Sequence, residues 1–152
     1  MYKAIIFFLI LFAGCSGSRE YGEVYFKSIA SGSNAGFSEK YQTVIYSEKD
    51  FQKLWSDTYS NFSEKPPVPS VNFSNQMVVA VYFGFYSTGG ASVKINGVSI
   101  NDYDMKVDVL QTLPGKNCVT TDVITYPFDM VVIPKYTGKI VYNFVDKIKN
   151  CP

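Results

Sequence analysis

The chain contains no histidine. That absence removes Ser-His and Cys-His nucleophilic catalysis, histidine-based zinc sites and the commonest general base. A surplus of charge is missing as well, with 14 Lys+Arg against 13 Asp+Glu in 152 residues. Nucleic acid needs a basic face, and this balance does not supply one. No run of apolar residues near the start reaches the about 20 needed for a membrane-spanning helix. Glycine-rich phosphate loops are absent too, since Gly89-Gly90 does not open a helix. The carboxylates Asp102, Asp104, Asp108, Asp122 and Asp129 are scattered. Asp102-x-Asp104 falls short of the oxygen ligands that a calcium loop supplies. Cys118 has no base to activate it, and no Ser-x-x-Lys sits at a helix start. The residues therefore point to a non-catalytic protein without cofactor or metal.

What is present begins at the N-terminus. Lys3 is followed by the apolar run from Ala4 to Ala13, the pattern of a secretory signal. Phe12-Ala13-Gly14-Cys15 resembles the lipobox of bacterial lipoproteins, with small residues directly before the cysteine. The resemblance implies cleavage after Gly14 and a lipid on Cys15, with the acyl chains holding the protein to a membrane. The expected organisation is a signal peptide at 1–14, a flexible tether at 15–20 and one domain at 21–152. Loss of Lys3 with the signal leaves basic and acidic residues equal in number. The expected location is the bacterial cell envelope. Ser16 after the cysteine favours the outer membrane if the cell is Gram-negative. Cys118 and Cys151 remain as an even pair outside the cytoplasm. A bridge between them would close a loop of about thirty residues, worth roughly 3–4 kcal/mol; two free thiols are the alternative.

The densest apolar stretch runs from Met77 to Phe85, with only Gly84 breaking it. Branched and aromatic side chains at this density favour a strand, and its continuity implies burial on both faces. Thr88-Gly89-Gly90 then reads as a hairpin turn into a second strand up to Ile100. Within that strand Val93 and Ile95 are odd while Val98 and Ile100 are even. Asn96-Gly97 fits a two-residue hairpin turn or a bulge in one longer strand, and the better turn just beyond it favours the bulge. Asn101 to Asp104 reads as the next turn, and Met105, Val107 and Val109 as an alternating strand. Further strands are expected at Tyr21–Ile29, Glu39–Tyr46, Cys118–Tyr126, Phe128–Ile133 and Lys139–Val145. Ser47 to Phe62 is the one convincing helix. Ser47 caps it with Asp50 three residues on, and Phe51, Leu54, Trp55, Tyr59 and Phe62 form its apolar stripe. The whole reads as α+β and β-dominated. About eight strands form antiparallel meanders, as a sandwich or a barrel, with one packed amphipathic helix.

Several segments together resemble a known family. Val71-Asn72-Phe73-Ser74-Asn75-Gln76-Met77-Val78-Val79-Ala80-Val81 follows a helix containing Leu54-Trp55. Gly84, then Thr88-Gly89-Gly90, then Ser92-Val93-Lys94-Ile95 come next. Cys118-Val119-Thr120-Thr121 and Pro127 to Lys135 complete the order. This succession resembles the C-terminal domain of PrcB, the protease complex subunit, over roughly Val44 to Val145. The resemblance implies a non-catalytic accessory role beside a protease.

The leading expectation is thus a lipid-anchored envelope protein that binds another protein, with a secreted or surface protease as the candidate partner. The turn Tyr86, Ser87, Thr88, Gly89 and Gly90 is the candidate recognition site. Two alternatives use the same turn: a small-ligand or glycan-binding module, and a protease inhibitor that presents Thr-Gly-Gly as a wedge.

Overall fold

The computed structural model describes residues 21–151. The signal peptide, the lipidation site Cys15 and the tether at 15–20 lie outside the described residues. Eight strands and one helix follow in order: β1 (Gly22–Glu23), β2 (Lys27–Gly32), β3 (Tyr41–Ile45), α1 (Glu48–Thr58), β4 (Gln76–Tyr82), β5 (Ser92–Ile100), β6 (Asp104–Pro114), β7 (Phe128–Pro134) and β8 (Lys139–Lys149). They form two four-stranded sheets, ordered β1-β5-β6-β8 and β2-β7-β4-β3. The architecture is a sandwich. Among the described residues no helix is long and apolar enough to cross a membrane.

The continuous apolar run at β4 finds its reason in three layers. Met77, Val79, Val81 and Phe83 face the other sheet, packing with Val93, Ile95 and Val98 of β5 and Met105, Val107 and Val109 of β6. Val78, Ala80 and Tyr82 face the opposite way, onto Phe51, Leu54 and Trp55 of α1. A strand covered on both faces has no position for a polar side chain. β6 is covered on one face only, so it alternates buried and half-buried residues.

Helix α1 forms where its cap predicts. The Ser47 hydroxyl accepts from the Asp50 amide at 3.2 Å and donates to the Asp50 carboxylate at 2.7 Å. It stops at Thr58, earlier than the expected Phe62, because its last turn is taken up by a neighbouring loop. The Gly36 amide donates to the Thr58 carbonyl at 2.8 Å, and the Asn61 side chain donates to the Ala35 carbonyl at 2.8 Å. The first satisfies one of the carbonyls that a helix end leaves open, and the second holds the loop in place. Phe51, Leu54 and Trp55 are buried, while Phe62 is exposed. The Trp55 indole donates to the Pro66 carbonyl at 2.9 Å, which fastens the proline-rich connector back onto the helix.

Five expectations about the strands are corrected. The stretch 77–100 is not a hairpin: β4 and β5 belong to different sheets, and residues 83–91 cross between them. Tyr21 to Ile29 is not one strand. β1 pairs with β5 and β2 with β7, while Val24 and Phe26 pack into the interior between the sheets as the chain passes across. Cys118 to Tyr126 forms no strand beyond isolated bridges, because it serves as a loop from β6 to β7. β8 runs on to Lys149 and pairs parallel with β6, departing from the antiparallel expectation. A parallel partner is possible because β7, in the other sheet, lies between them in sequence. Strand neighbours are also mostly non-consecutive, so the sheets are not meanders. The bulge is where parity placed it, with a register shift between Ile95 and Gly97.

Candidate protein-interaction surface at the crossover end

The crossover that carries Tyr86 to Gly90 is fixed residue by residue. After β4 the Phe83 amide donates to the Pro127 carbonyl at 2.8 Å. Gly84 then turns the chain with φ +83°. A Cβ there would lie 2.8 Å from the Lys40 amide nitrogen and 2.9 Å from the Glu39 carbonyl carbon, so both conformation and space require glycine. The Phe85 amide donates to the Ser38 carbonyl at 2.8 Å. Tyr86 and Thr125 exchange amide-to-carbonyl hydrogen bonds, both 2.9 Å, as an antiparallel bridge. The Thr125 hydroxyl donates to the Thr88 carbonyl at 3.1 Å, and the Gly89 amide to the Thr121 carbonyl at 2.9 Å. Gly90, at φ +91°, delivers the chain to buried Ala91 and β5.

This short ladder has two faces. Thr125 is buried, and the Tyr86 ring stands edge-on to Phe83 with centroids 5.9 Å apart. Side chains alternate across a ladder, so Phe85 and Ile124 take the other face. Phe85 is 54% exposed and Ile124 52%; on the same loop as Ile124, Val123 is 58% exposed and Val119 fully exposed. Phe85 also stacks edge-on with Tyr126 at 6.2 Å between centroids. Exposed apolar residues gathered on one loop pair are the kind of surface that marks an interaction site.

Cys118 and Cys151 are joined in a disulfide. It ties the loop that carries Val119 to Ile124 to the end of β8. The Gly115 amide donates to the Lys149 carbonyl at 2.9 Å, and the Asn117 side chain donates to the Cys151 carbonyl. The loop therefore leaves from a clamped base. Between the crossover and this base lies a shallow concavity lined by Tyr86, Leu113, Pro114, Lys116, Ile148 and Asn150. Among the described residues no three His, Cys, Asp or Glu side chains converge as a metal set.

The sequence reading located Tyr86 to Gly90 but missed Phe85, Val119, Val123 and Ile124. Phe85 ends an apolar run and reads as core. Val119, Val123 and Ile124 sit in a stretch that reads as a strand. Only the break of that strand into a loop exposes them. Within the turn itself, Ser87 and Gly90 are exposed, while Tyr86, Thr88 and Gly89 are half-buried.

No curated protein and no solved structure matches this chain. The family match starts in β4, takes in the crossover, β5, β6 and the loop, and ends with β7. It is narrower than the Val44 to Val145 span of the resemblance, and leaves out α1 and β8. Residues 77–134, the segment that builds this end of the sandwich, match the family described as PrcB C-terminal.

Proposed function

We propose that this protein is a non-catalytic, lipid-anchored module of the bacterial envelope that associates with a protease. The observation that carries the reading is the exposure of three apolar side chains, Phe85, Val123 and Ile124, on the paired segments of the crossover end. It lies inside the segment matched to the PrcB C-terminal family, whose namesake is a protease complex subunit. Exposed apolar side chains beside an open, shallow concavity favour a protein partner over a small ligand or glycan, which would call for an enclosed pocket. The turn is stitched to residues 121–125 on one side, which favours docking over insertion as an inhibitory wedge.

The position of β1 supports the same reading. Gly22 pairs with Ile100, at the far end of β5 from the crossover. A nine-residue strand spans about 30 Å. A lipid on Cys15 would hold the Tyr21 end at the membrane and leave Phe85 and Ile124 facing away from it.

The test is recovery of the tagged full chain from its own cells, with Phe85→Ser/Ile124→Ser beside it. The parent should retain a protease that the variant loses, with both folded to the same extent. Equal recovery by both, or no reproducible partner, would count against the reading. For the anchor, Cys15→Ala should move the protein to the soluble fraction; continued membrane association would remove it.

A further inference from the structure

The described strands leave four sheet edges: β1 and β8 in one sheet, β2 and β3 in the other. An unpaired edge invites pairing with another chain, and native sheets keep edges short, bulged or interrupted. Three of the four follow that rule. β1 has two residues and β3 five, and β2 carries a register shift between Ser28 and Ala30. β8 is neither short, bulged nor interrupted, and only the charges at its ends, Lys139, Asp146, Lys147 and Lys149, blunt it. Its 11 residues keep continuous register with β6 from Lys139 to Lys149, without bulge or proline. Its stretch Ile140-Val141-Tyr142-Asn143-Phe144-Val145 has no charge and is rich in strand-favouring side chains.

The direction of its free backbone groups can be assigned. The Lys149 carbonyl points to β6's continuation, accepting from the Gly115 amide. In a parallel ladder the N–H and C=O of one residue point to the same side, and sides alternate along the strand. Odd residues of β8 therefore face β6. Residues 140, 142, 144, 146 and 148 turn their amides and carbonyls to the open edge. Of these, Phe144 and Ile148 also have exposed side chains. Phe144 and Asp146 line a recess with Lys40, Gln42, Gln111 and Tyr82.

We propose that β8 is a strand-pairing site for an extended segment of a partner protein that carries acidic residues at both ends. The flanking charges select this occupant. Lys139, Lys147 and Lys149 are exposed around the uncharged centre, and Asp146 is the one acidic residue among them, so each end carries a net positive charge. A second copy of β8, added antiparallel about a twofold axis, opposes like charges in its two central registers, though not when centred on Tyr142 or Val145. Centred on Phe144 it sets Lys139 against Lys149; centred on Asn143 it sets Lys139 against Lys147. Like charges directly opposite destabilise a strand pair, and opposite charges stabilise it. Aspartate or glutamate at those places turns the same lysines into attraction. Main-chain hydrogen bonds then supply affinity, and the recess beside Phe144 supplies side-chain preference. This surface meets the crossover end at Ile148 but does not depend on a protease binding there.

The probe is a nine-residue peptide of alternating valine and threonine with glutamate at each end, added to the full chain purified in detergent. A peptide with lysine ends is the control. The glutamate peptide should slow hydrogen exchange about tenfold or more at the amides of residues 140, 142, 144, 146 and 148. Lys147→Glu/Lys149→Glu should weaken its binding about tenfold and reverse the preference toward the lysine peptide. These lysines are exposed, so the double variant keeps the fold and serves as the deciding one should Asp146→Pro, which removes one outward amide, fail to fold. No slowing at saturating peptide overturns the proposal. So does protection without peptide in a protein that sediments as a dimer, which would make a second copy the occupant. Equal binding of the two peptides overturns the acidic preference.

Discussion

The carboxylate of Asp129 on β7 accepts the backbone amide of Ile95 on β5 at 2.7 Å, across the interior of the sandwich. Ile95 stands at the bulge, beyond the reach of β1, which pairs only with Ser99 and Ile100. Its amide therefore depends on a side chain from the opposite sheet. Asp129 is buried, and burial holds its carboxyl above the usual aspartate range against the opposing effect of the Ile95 and Met130 amides.

The pH consequence follows from the sign of that shift. The folded state holds the Asp129 proton more tightly than the unfolded chain does. The resulting stabilisation is fully present below the unfolded pKa near 3.8 and is lost as pH rises through the higher folded value. Asp129→Asn keeps an acceptor for Ile95 and should remove this part of the pH dependence. Asp129→Leu leaves the amide unpaired and should cost about 1–3 kcal/mol at neutral pH. Denaturant titrations of the three proteins from pH 3 to 7 check both; an unchanged pH profile in the asparagine variant would overturn the assignment.

Helix and sheet share one buried hydroxyl pair. Thr58 Oγ1 donates to the Leu54 carbonyl at 2.8 Å, so the Tyr82 hydroxyl donates to Thr58 Oγ1 at 2.7 Å. Burial raises the Tyr82 pKa strongly, so it stays protonated and able to donate through the neutral range. Tyr82→Phe should cost about 1 kcal/mol, and Thr58→Val about 1–3 kcal/mol because it strands the tyrosine hydroxyl. A double-mutant cycle on denaturant midpoints should return a coupling of at least about 0.5 kcal/mol. Additive effects would show that the contact does not hold α1 to β4.

Reduction of Cys118–Cys151 should lower stability by roughly 3–4 kcal/mol, the value for closing a loop across a sequence separation of 33. The Cys118→Ser/Cys151→Ser pair should show the same loss without reductant. Hydrogen exchange should rise first in residues 115–126, whose base the bridge clamps. A uniform rise across both sheets would mean the bridge acts on the whole fold and not on the loop.

Gly84→Ala and Thr88→Ala separate the structural and recognition parts of the crossover. The alanine at 84 meets the backbone of residues 38–40 in a left-handed conformation, and should cost about 2 kcal/mol or more. Thr88 contributes its carbonyl to Thr125, which alanine retains, so its stability should change by less than about 0.5 kcal/mol. Thermal melts decide this. Tyr86→Ala will not serve as a clean binding probe, because its ring packs against Phe83 in the core.

Some of this protein is determined by local pattern alone. Seven consecutive apolar residues from Met77 to Phe83, rich in branched and aromatic side chains, favour a strand covered on both faces. The parity change between Ile95 and Val98 fits the bulge, and Ser47 with Asp50 sets the start of the helix. Each depends on a residue and its near neighbours, and sequence records those directly. Tertiary structure decided the partners. Alternation tells which side of a strand is buried but not which strand lies beside it. The Thr-Gly-Gly segment thus fits a hairpin as well as a crossover, and β8 fits an antiparallel neighbour as well as a parallel one. Phe85, Val123 and Ile124 have side chains suited to a core, and became surface only because the path between the sheets leaves no layer over them. The long edge of β8 likewise arises from strand order, a non-local property set by how two sheets share one chain.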